Sequence, residues 1–292
     1  MTAVLERAGE STAARPPTRA PRRPRRRLGD LIVPVFAALA FLYLLVPVAY
    51  TVVFSFNDAG KTNLVWRGFT LENWQNPCGA PQVCEAFAHS LQVGVVSTLI
   101  ATALGTLVAI ALVRFQFRGR ALTNLLIFLP MSTPEVVLGA ALLAQFLTLR
   151  VPLGFGTVVA AHVLFCISFV VVTVKARVSS LDPALEEAAA DLYASPWQAF
   201  WRVTFPLLLP GIAAAALLAF SLSFDDFIVT NFTSGSLTTF PKFVYVSATR
   251  GIPPQANVIS SFMFVLALAV VVVVQVLGYA RSKRLGARRT TQ

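Results

Sequence analysis

Long apolar stretches alternate with short charged ones along this chain. Leu31–Phe56, Ala86–Val113, Val151–Val174 and Gly251–Ala280 contain no Asp, Glu, Lys or Arg. Ala121–Leu149 holds only Glu135, and Leu207–Thr230 only Asp225 and Asp226. Each stretch exceeds the roughly 20 residues that a helix needs to cross a hydrocarbon core of about 30 Å. Barrel strands would instead show segments of about 9–11 residues with alternating polarity. The pattern therefore predicts an all-α polytopic membrane protein with six transmembrane helices over residues 31–280. A basic, Pro-rich segment (residues 1–30) that is expected to be disordered precedes them, and a basic tail (residues 281–292) follows. Pro34 and Pro47 fall in the first span. Pro130 and Pro134 fall in the third, which is expected to be one kinked helix.

Composition narrows the class further. Of 292 residues, 56% are hydrophobic and 13% charged, and the mean hydropathy is +0.71. A soluble domain carries about 25% charged residues, so a soluble six-helix core is a poor fit. The net charge of +11 is unevenly distributed. Eight Arg lie in residues 1–30, five basic residues in 281–292, three in 114–120 and three in 175–206. In a six-span topology these four regions share one side. The opposite side has five: Lys61, Arg67, Arg150, Lys242 and Arg250. Basic residues concentrate on the cytoplasmic side, so both termini are expected there. The basic excess reads as a topology signal, with attraction to anionic membrane lipid as an addition and no nucleic-acid partner. The apolar run after Arg22–Arg27 is too long for a signal peptide, and no small-residue cleavage site follows it.

Three cysteines are present. Cys166 lies within the fourth span and reads as a packing residue. Cys78 and Cys84 fall in the outward loop Asn57–Glu85. An oxidising exterior permits a disulfide between them; the alternative is two free thiols, and with no His nearby no metal is expected. His89 and His162 are isolated in sequence and read as packing residues.

One interruption between spans is built differently from the others. Residues 177–206 form a long polar segment that reads as two short helices. Asp182-Pro183 opens the first, with a capping carboxylate before Pro at the first helical position, and Ala184 to Leu192 are nearly all strong helix formers. Asp182, Glu186, Glu187 and Asp191 make two like-charged (i, i+4) pairs, which call for a basic partner elsewhere. Ser195-Pro196-Trp197-Gln198 is a capping box that opens the second helix, expected to stop before Pro206. Trp197, Phe200, Trp201 and Thr204 share a face suited to a membrane interface.

This segment resembles the EAA loop of ABC importer permease subunits: E-A-A, three residues, G, nine residues, I, one residue, L-P. Glu187-Ala188-Ala189 takes the opening, Val203 the Ile, and Phe205-Pro206 the Leu-Pro. Tyr193 stands at the Gly, where a left-handed turn is needed and Tyr costs roughly 1 kcal/mol or more; either the turn moves to Ala194-Ser195 or the docking geometry changes. The resemblance implies a type I ABC importer permease fold and a loop that docks on a separate cytoplasmic ATPase dimer. The coupling residues it implies are Glu186, Glu187, Ala188, Ala189, Asp191, Tyr193, Ala194, Ser195, Pro196, Arg202 and Pro206. No G-x-x-x-x-G-K-[ST] motif occurs in the chain, so ATP and Mg would belong to the ATPase and no cofactor to this chain. The other implied partners are a second, homologous permease and an extracytoplasmic solute-binding protein. The implied location is the bacterial cytoplasmic membrane.

A narrower resemblance lies in Pro130–Gly139, Ser221–Val229, Thr238–Pro241 and Arg250–Asn257. These stretches are similar to the second permease of spermidine/putrescine importers, whose subfamily also handles thiamine, ferric iron and aminophosphonates. Acids within spans are costly and point to partners or a pathway, which makes Glu135, Asp225 and Asp226 candidates for the substrate path. An integral membrane enzyme or a non-transporting scaffold are the competing classes. An enzyme would need a cluster of polar or ligating residues at one membrane face, and the sequence offers none.

Overall fold

The computed structural model describes residues 29–59, 63–249 and 251–289, with side chains described over 31–59, 63–249 and 251–276. The tail at 1–28 and residues 290–292 lie outside the described residues. The chain divides into two units, Met1–Ala49 and Tyr50–Gln292. Helix α1 (Gly29–Phe54) carries Pro34 and Pro47, and its residues to Ala49 belong to the first unit. The second unit contains α2 (Glu72–Gln75), α3 (Pro81–Arg114), α4 (Arg120–Ser132), α5 (Glu135–Thr148), α6 (Phe155–Ser179), α7 (Ala184–Asp191), α8 (Pro196–Ala199), a π-turn (Phe200–Thr204), α9 (Phe205–Asp225), α10 (Ile228–Thr233), α11 (Phe240–Ala248) and α12 (Pro254–Arg289). Among the described residues β pairing is limited to an isolated bridge between Asn57 and Phe69.

Five helical segments are long and apolar enough to cross a membrane: Leu31–Phe54, Pro81–Arg114, Phe155–Ser179, Pro196–Asp225 and Pro254–Val276. The third expected span is not one kinked helix. It is two helices, α4 and α5, meeting at 110°, and counted as one broken span they bring the total to six. Pro134 has no N–H to continue α4, and the residue before a proline is pushed out of the helical region; Thr133 accordingly sits at φ −83°, ψ 132°. The Thr133 hydroxyl donates to the Leu129 carbonyl at 2.7 Å and the Ser132 hydroxyl to the Phe128 carbonyl at 3.2 Å, so side chains bond the carbonyls of the last turn of α4.

The core of the second unit is α3 packed on α6 and α9. Its buried centre includes Ala101, Ala109, Leu112, Cys166, Val170, Val174, Leu208, Ala215 and Ala219. Small residues permit the close approach, as is usual where lipid supplies no hydrophobic drive between helices. A Cβ at Gly105 would lie 2.6 Å from Val170 Cγ1, and one at Gly94 3.1 Å from the Phe220 ring.

The second helix of the polar loop does not stop at Pro206. It runs through the π-turn into α9 as one 30-residue helical segment. Pro206 lacks the N–H that would bond the Arg202 carbonyl. The π-turn widens the ladder just before it, with Phe205 N–H donating to Phe200 O, and so absorbs the misfit.

Candidate functional site

The polar loop sits at one end of the α3–α6–α9 bundle and is tied there by Glu186. Its Oε1 accepts from Arg114 Nη2 at 2.8 Å and from Thr204 Oγ1 at 2.7 Å. One carboxylate oxygen thus joins α7 to the end of α3 and to the π-turn. Arg114 is the basic partner that the like-charged helix called for. Asp182 Oδ1 caps Ala184 N–H at 3.0 Å. Ser195 and Gln198 form the reciprocal capping box, at 3.3 Å and 3.1 Å.

The turn between the two helices stays at Tyr193, which takes φ +62°. Tyr193 N–H donates to Ala190 O at 2.9 Å and Ala194 N–H to Ala189 O at 3.1 Å. This is a Schellman ending, normally given to Gly because a Cβ is strained there. Its side chain is 97% exposed, with Leu192 at 82% and Trp197 at 70%. Glu187, Ala188, Asp191, Ser195, Pro196, Arg202 and Pro206 are also exposed, while Ala189 and Ala194 are half-buried. Trp197, Trp201 and Phe205 form a ladder of ring contacts at 5.6 Å and 4.7 Å. Thr204 leaves the predicted aromatic face and is buried under Glu186. Arg177 fixes the start of α9: Nε and Nη2 donate to Leu207 O at 3.0 Å and 2.8 Å, and its stem lies against Gly211.

The three candidate pathway acids have three different settings. Glu135 is exposed at the first position of α5, where the positive end of the helix dipole favours an acid. Asp226 follows α9 directly, and its side chain is 7% exposed. Its Oδ2 accepts from Thr230 N–H and Thr230 Oγ1, both at 2.8 Å, and its Oδ1 from Val229 N–H at 3.3 Å, so that it caps α10. Asp225 is exposed, and among the described residues no cation or side-chain donor reaches its carboxylate.

His162 is not an isolated packing residue. Its ring is 1% exposed; Nε2 lies 3.3 Å from Asp226 Oδ2 and 2.9 Å from Thr230 Oγ1, and Nδ1 lies 2.7 Å from Ser223 Oγ. With a neutral ring, one assignment satisfies every member: Ser223 donates to Nδ1, Nε2–H to Thr230, and Thr230 to Asp226. The network ties α6, the end of α9 and α10. Sequence reading missed it because the partners are distant in the chain; the signal that could have found it was a lone His, with no charge nearby, in a span facing two acids in another.

Asp225 borders a cleft of about 640 Å³ lined by Phe224, Phe227, Phe240, Tyr245, Ser260 and Met263, among others. The turn-rich loop beyond it is shaped by α11, whose Phe240 N–H donates to Ser90 Oγ at 2.8 Å, and His89 Nδ1 lies 3.0 Å from Thr238 O. Lys242 Nζ donates to Ser234 Oγ, Gly235 O and Leu237 O at 2.7–3.1 Å, and burial pulls its ammonium below its usual pKa. Cys78 and Cys84 are bonded to each other, with Cα atoms 5.5 Å apart. Among the described residues no group of three His, Cys, Asp or Glu could hold a metal ion.

Residues 101–287 match the family described as "Binding-protein-dependent transport system inner membrane component". The spermidine/putrescine transport system permease protein PotC of Escherichia coli (strain K12) is 34% identical over 257 residues, covering 88% of this chain and 97% of that one. The putrescine transport system permease protein PotI of the same strain is 34% identical over 237 residues, 78% and 84% of the two chains. Among solved structures, a chain of a bacterial ABC transporter involved in import of the acidic polysaccharide alginate superposes with a TM-score of 0.60 at 16% identity, over 87% of this chain and 98% of that one. That likeness shows the fold alone, the all-helical fold of type I importer permeases. The chain is a multi-pass membrane protein and belongs to the binding-protein-dependent transport system inner membrane component family.

Proposed function

We propose that this chain is the permease subunit of an ATP-driven importer of polyamines, forming half of the translocation pathway in a bacterial cytoplasmic membrane. The observation that carries the reading is the loop held by Glu186. It is anchored on its inner side to Arg114 and Thr204, and it presents Leu192, Tyr193 and Trp197 outward. A rigid polar loop with exposed apolar and aromatic side chains at its turn has the chemistry of a docking surface. The similarity to permeases named for spermidine and putrescine supports the substrate class.

In this reading a separate ATPase dimer grips the loop from the cytoplasm, and a second, homologous permease completes the pathway. An extracytoplasmic solute-binding protein delivers substrate to the opposite end. Closure of the ATPase pair on ATP moves α7 and α8. That motion passes into α9 through the π-turn and switches the pathway between its two openings. Both termini face the cytoplasm, and ATP and Mg stay on the ATPase. Glu135, Asp225 and Asp226 are the acids assigned to the pathway, with Asp226 acting through its hold on α10.

The test is ATPase activity and spermidine uptake by the assembly reconstituted with its ATPase, second permease and binding protein. Wild type is compared with Glu187→Lys plus Ala188→Asp, both exposed on the loop. Stimulated ATPase in wild type and uncoupled or lost activity in the variant is the expected result. An unaffected variant would remove the docking role, and coupling without any response to spermidine would move the substrate to another small solute.

A further inference from the structure

We infer that the loop after α1 is a membrane anchor: Leu64, Val65 and Trp66 insert at the interface of the phospholipid leaflet in which α1 ends, with Arg67 among the headgroups, a role independent of the solute carried.

The loop is a built structure that hangs on the fully buried side chain of Asn57. Asn57 Nδ2 donates to Asn63 Oδ1 at 2.7 Å and to Val65 O at 2.8 Å, and its Oδ1 accepts from Arg67 N–H at 2.8 Å. Asn63 passes the link to the helix: its Nδ2 donates to Phe54 O at 2.6 Å, a carbonyl at the end of α1 that has no partner further along the helix. Asp58 N–H bonds Gly68 O at 2.9 Å and Thr70 N–H bonds Phe56 O at 2.8 Å, which closes the loop on itself. The polar groups are thus turned inward. What faces outward is apolar: Leu64 is 67% and Val65 66% exposed, with Trp66 and Phe69 also exposed. A contiguous apolar patch held outward by a rigid frame marks a membrane or a partner.

Depth selects the membrane. The apolar span Leu31–Phe54 ends at Phe54, and Tyr50–Phe54 belong to the same compact unit as the loop. The loop folds back on this last turn instead of rising away from it. The Trp66 ring meets the Phe54 ring edge-on at 6.1 Å, and Phe54 stacks on Tyr50 at 4.0 Å. The Tyr50 hydroxyl donates to Asn63 O at 3.5 Å. Trp66 therefore shares the level at which the span ends, and Leu64 and Val65 are adjacent to it. A second ladder, Phe69–Phe56–Trp74, has centroids 5.6 Å and 5.4 Å apart, and Trp74 Nε1 donates to Ser55 Oγ at 3.1 Å. Trp and Tyr concentrate at headgroup level, where an apolar ring and a polar edge are both satisfied.

Arg67 follows Trp66 directly, is exposed, and among the described residues has no ion pair. A guanidinium at that level matches a lipid phosphate. A water-soluble partner would have to enter the headgroup layer to cover the same rings. The loop is also tied to the segment before α12, since Asn63 N–H donates to Ile252 O at 3.1 Å. The anchor would set the height of the end of α1 and of the start of α12 together.

The experiment places a nitroxide at Leu64→Cys or Val65→Cys in the whole chain, reconstituted in vesicles of phosphatidylcholine and phosphatidylglycerol. Cys166 is buried and Cys78 and Cys84 are bonded to each other, so the new thiol takes the label. Collision rates with oxygen, which concentrates in lipid, and with a water-soluble nickel chelate give the depth. Oxygen is expected to collide faster than the chelate at both sites, at about 5–10 Å into the headgroup and acyl boundary. A faster chelate would put the loop in water, and slow collisions with both would put it against protein; either result overturns the anchor. A second measurement leaves Leu64 and Val65 in place. The fluorescence of wild type minus that of Trp66→Phe isolates Trp66, and phosphatidylcholine brominated high on its acyl chain is expected to quench it more than lipid brominated near the chain end. An unquenched Trp66 overturns the anchor. Quenching in the chain alone that is lost when the second permease is present would give the surface to that partner and overturn the lipid assignment.

Discussion

Asp226 Oδ2 stands 3.3 Å from His162 Nε2, with both side chains almost wholly removed from solvent. Among the described residues the adjacent Asp225 has no such partner, and it remains exposed. Burying a carboxylate is tolerated when donors surround it. Asp226 has Thr230 N–H, Thr230 Oγ1 and Val229 N–H as donors, and the His162 ring beside it, which holds Thr230 Oγ1 in place. The pair is therefore the joint at which α6 holds the end of α9 and the start of α10, and that joint decides which of two consecutive acids faces outward.

His162→Ala is expected to destabilise the purified permease by about 2–3 kcal/mol, because a buried acid and two hydroxyls lose a shared partner. His162→Ala combined with Asp226→Asn should cost less than the two singles added together. Thermal unfolding of the four proteins in one detergent checks this; strict additivity would mean that the two side chains do not act as a unit.

Gly105→Ala is expected to cost about 1–3 kcal/mol, since the new Cβ would lie 2.6 Å and 2.9 Å from Val170 Cγ1 and Cβ, atoms too near the backbone to swing away. Adding Val170→Ala should restore much of the loss. Thermal midpoints of the single and double variants give the comparison, and a double variant worse than Gly105→Ala alone would contradict the contact.

The loop offers a test that separates geometry from docking. Tyr193→Gly removes the penalty of a left-handed Tyr and is expected to stabilise the turn by about 1 kcal/mol. Hydrogen exchange at the Ala194 amide, which bonds Ala189 O, should slow about fivefold. Coupled ATPase activity should fall at the same time, because the most exposed ring on the loop is lost. Faster exchange would mean that Tyr193 stabilises this turn rather than straining it.

Glu186→Gln removes the charge that Arg114 and Thr204 share. The pair is 22% and 36% exposed, so the stability loss should be only about 0.5–1 kcal/mol. The functional loss should exceed it, since α7 would no longer be fixed to α3. A coupling ratio of uptake to ATP hydrolysis equal to that of wild type would separate Glu186 from transmission.

The spans were legible because charge-free stretches of sufficient length have one physical solution in lipid. The caps at Asp182 and Ser195 were legible because their partners are two or three residues away. What escaped was of three kinds. In the sequence the break at Thr133-Pro134 looks like a kink, since Pro marks a disturbance but not its angle. The His162 network and the Glu186–Arg114 tie join residues far apart in sequence, and no local pattern encodes such partners. The fate of Pro206 escaped for a third reason: a π-turn lets a helix accept a proline that would otherwise stop it.

That π-turn has a consequence for how displacement travels. Pro196–Asp225 is a single rod of 30 residues, about 45 Å from tip to tip. Its π-turn is Phe200–Thr204, near the loop end, and Pro210 breaks the ladder again further along. If the π-turn tightened to ordinary α-geometry, the register between the two sides would slip by one residue. The short piece bearing Trp197 would then turn by about 100° relative to the shaft. The rod therefore carries a swivel near its handle: small rotations of the handle are absorbed there, while a tilt passes along the rod toward Asp225 at the far tip.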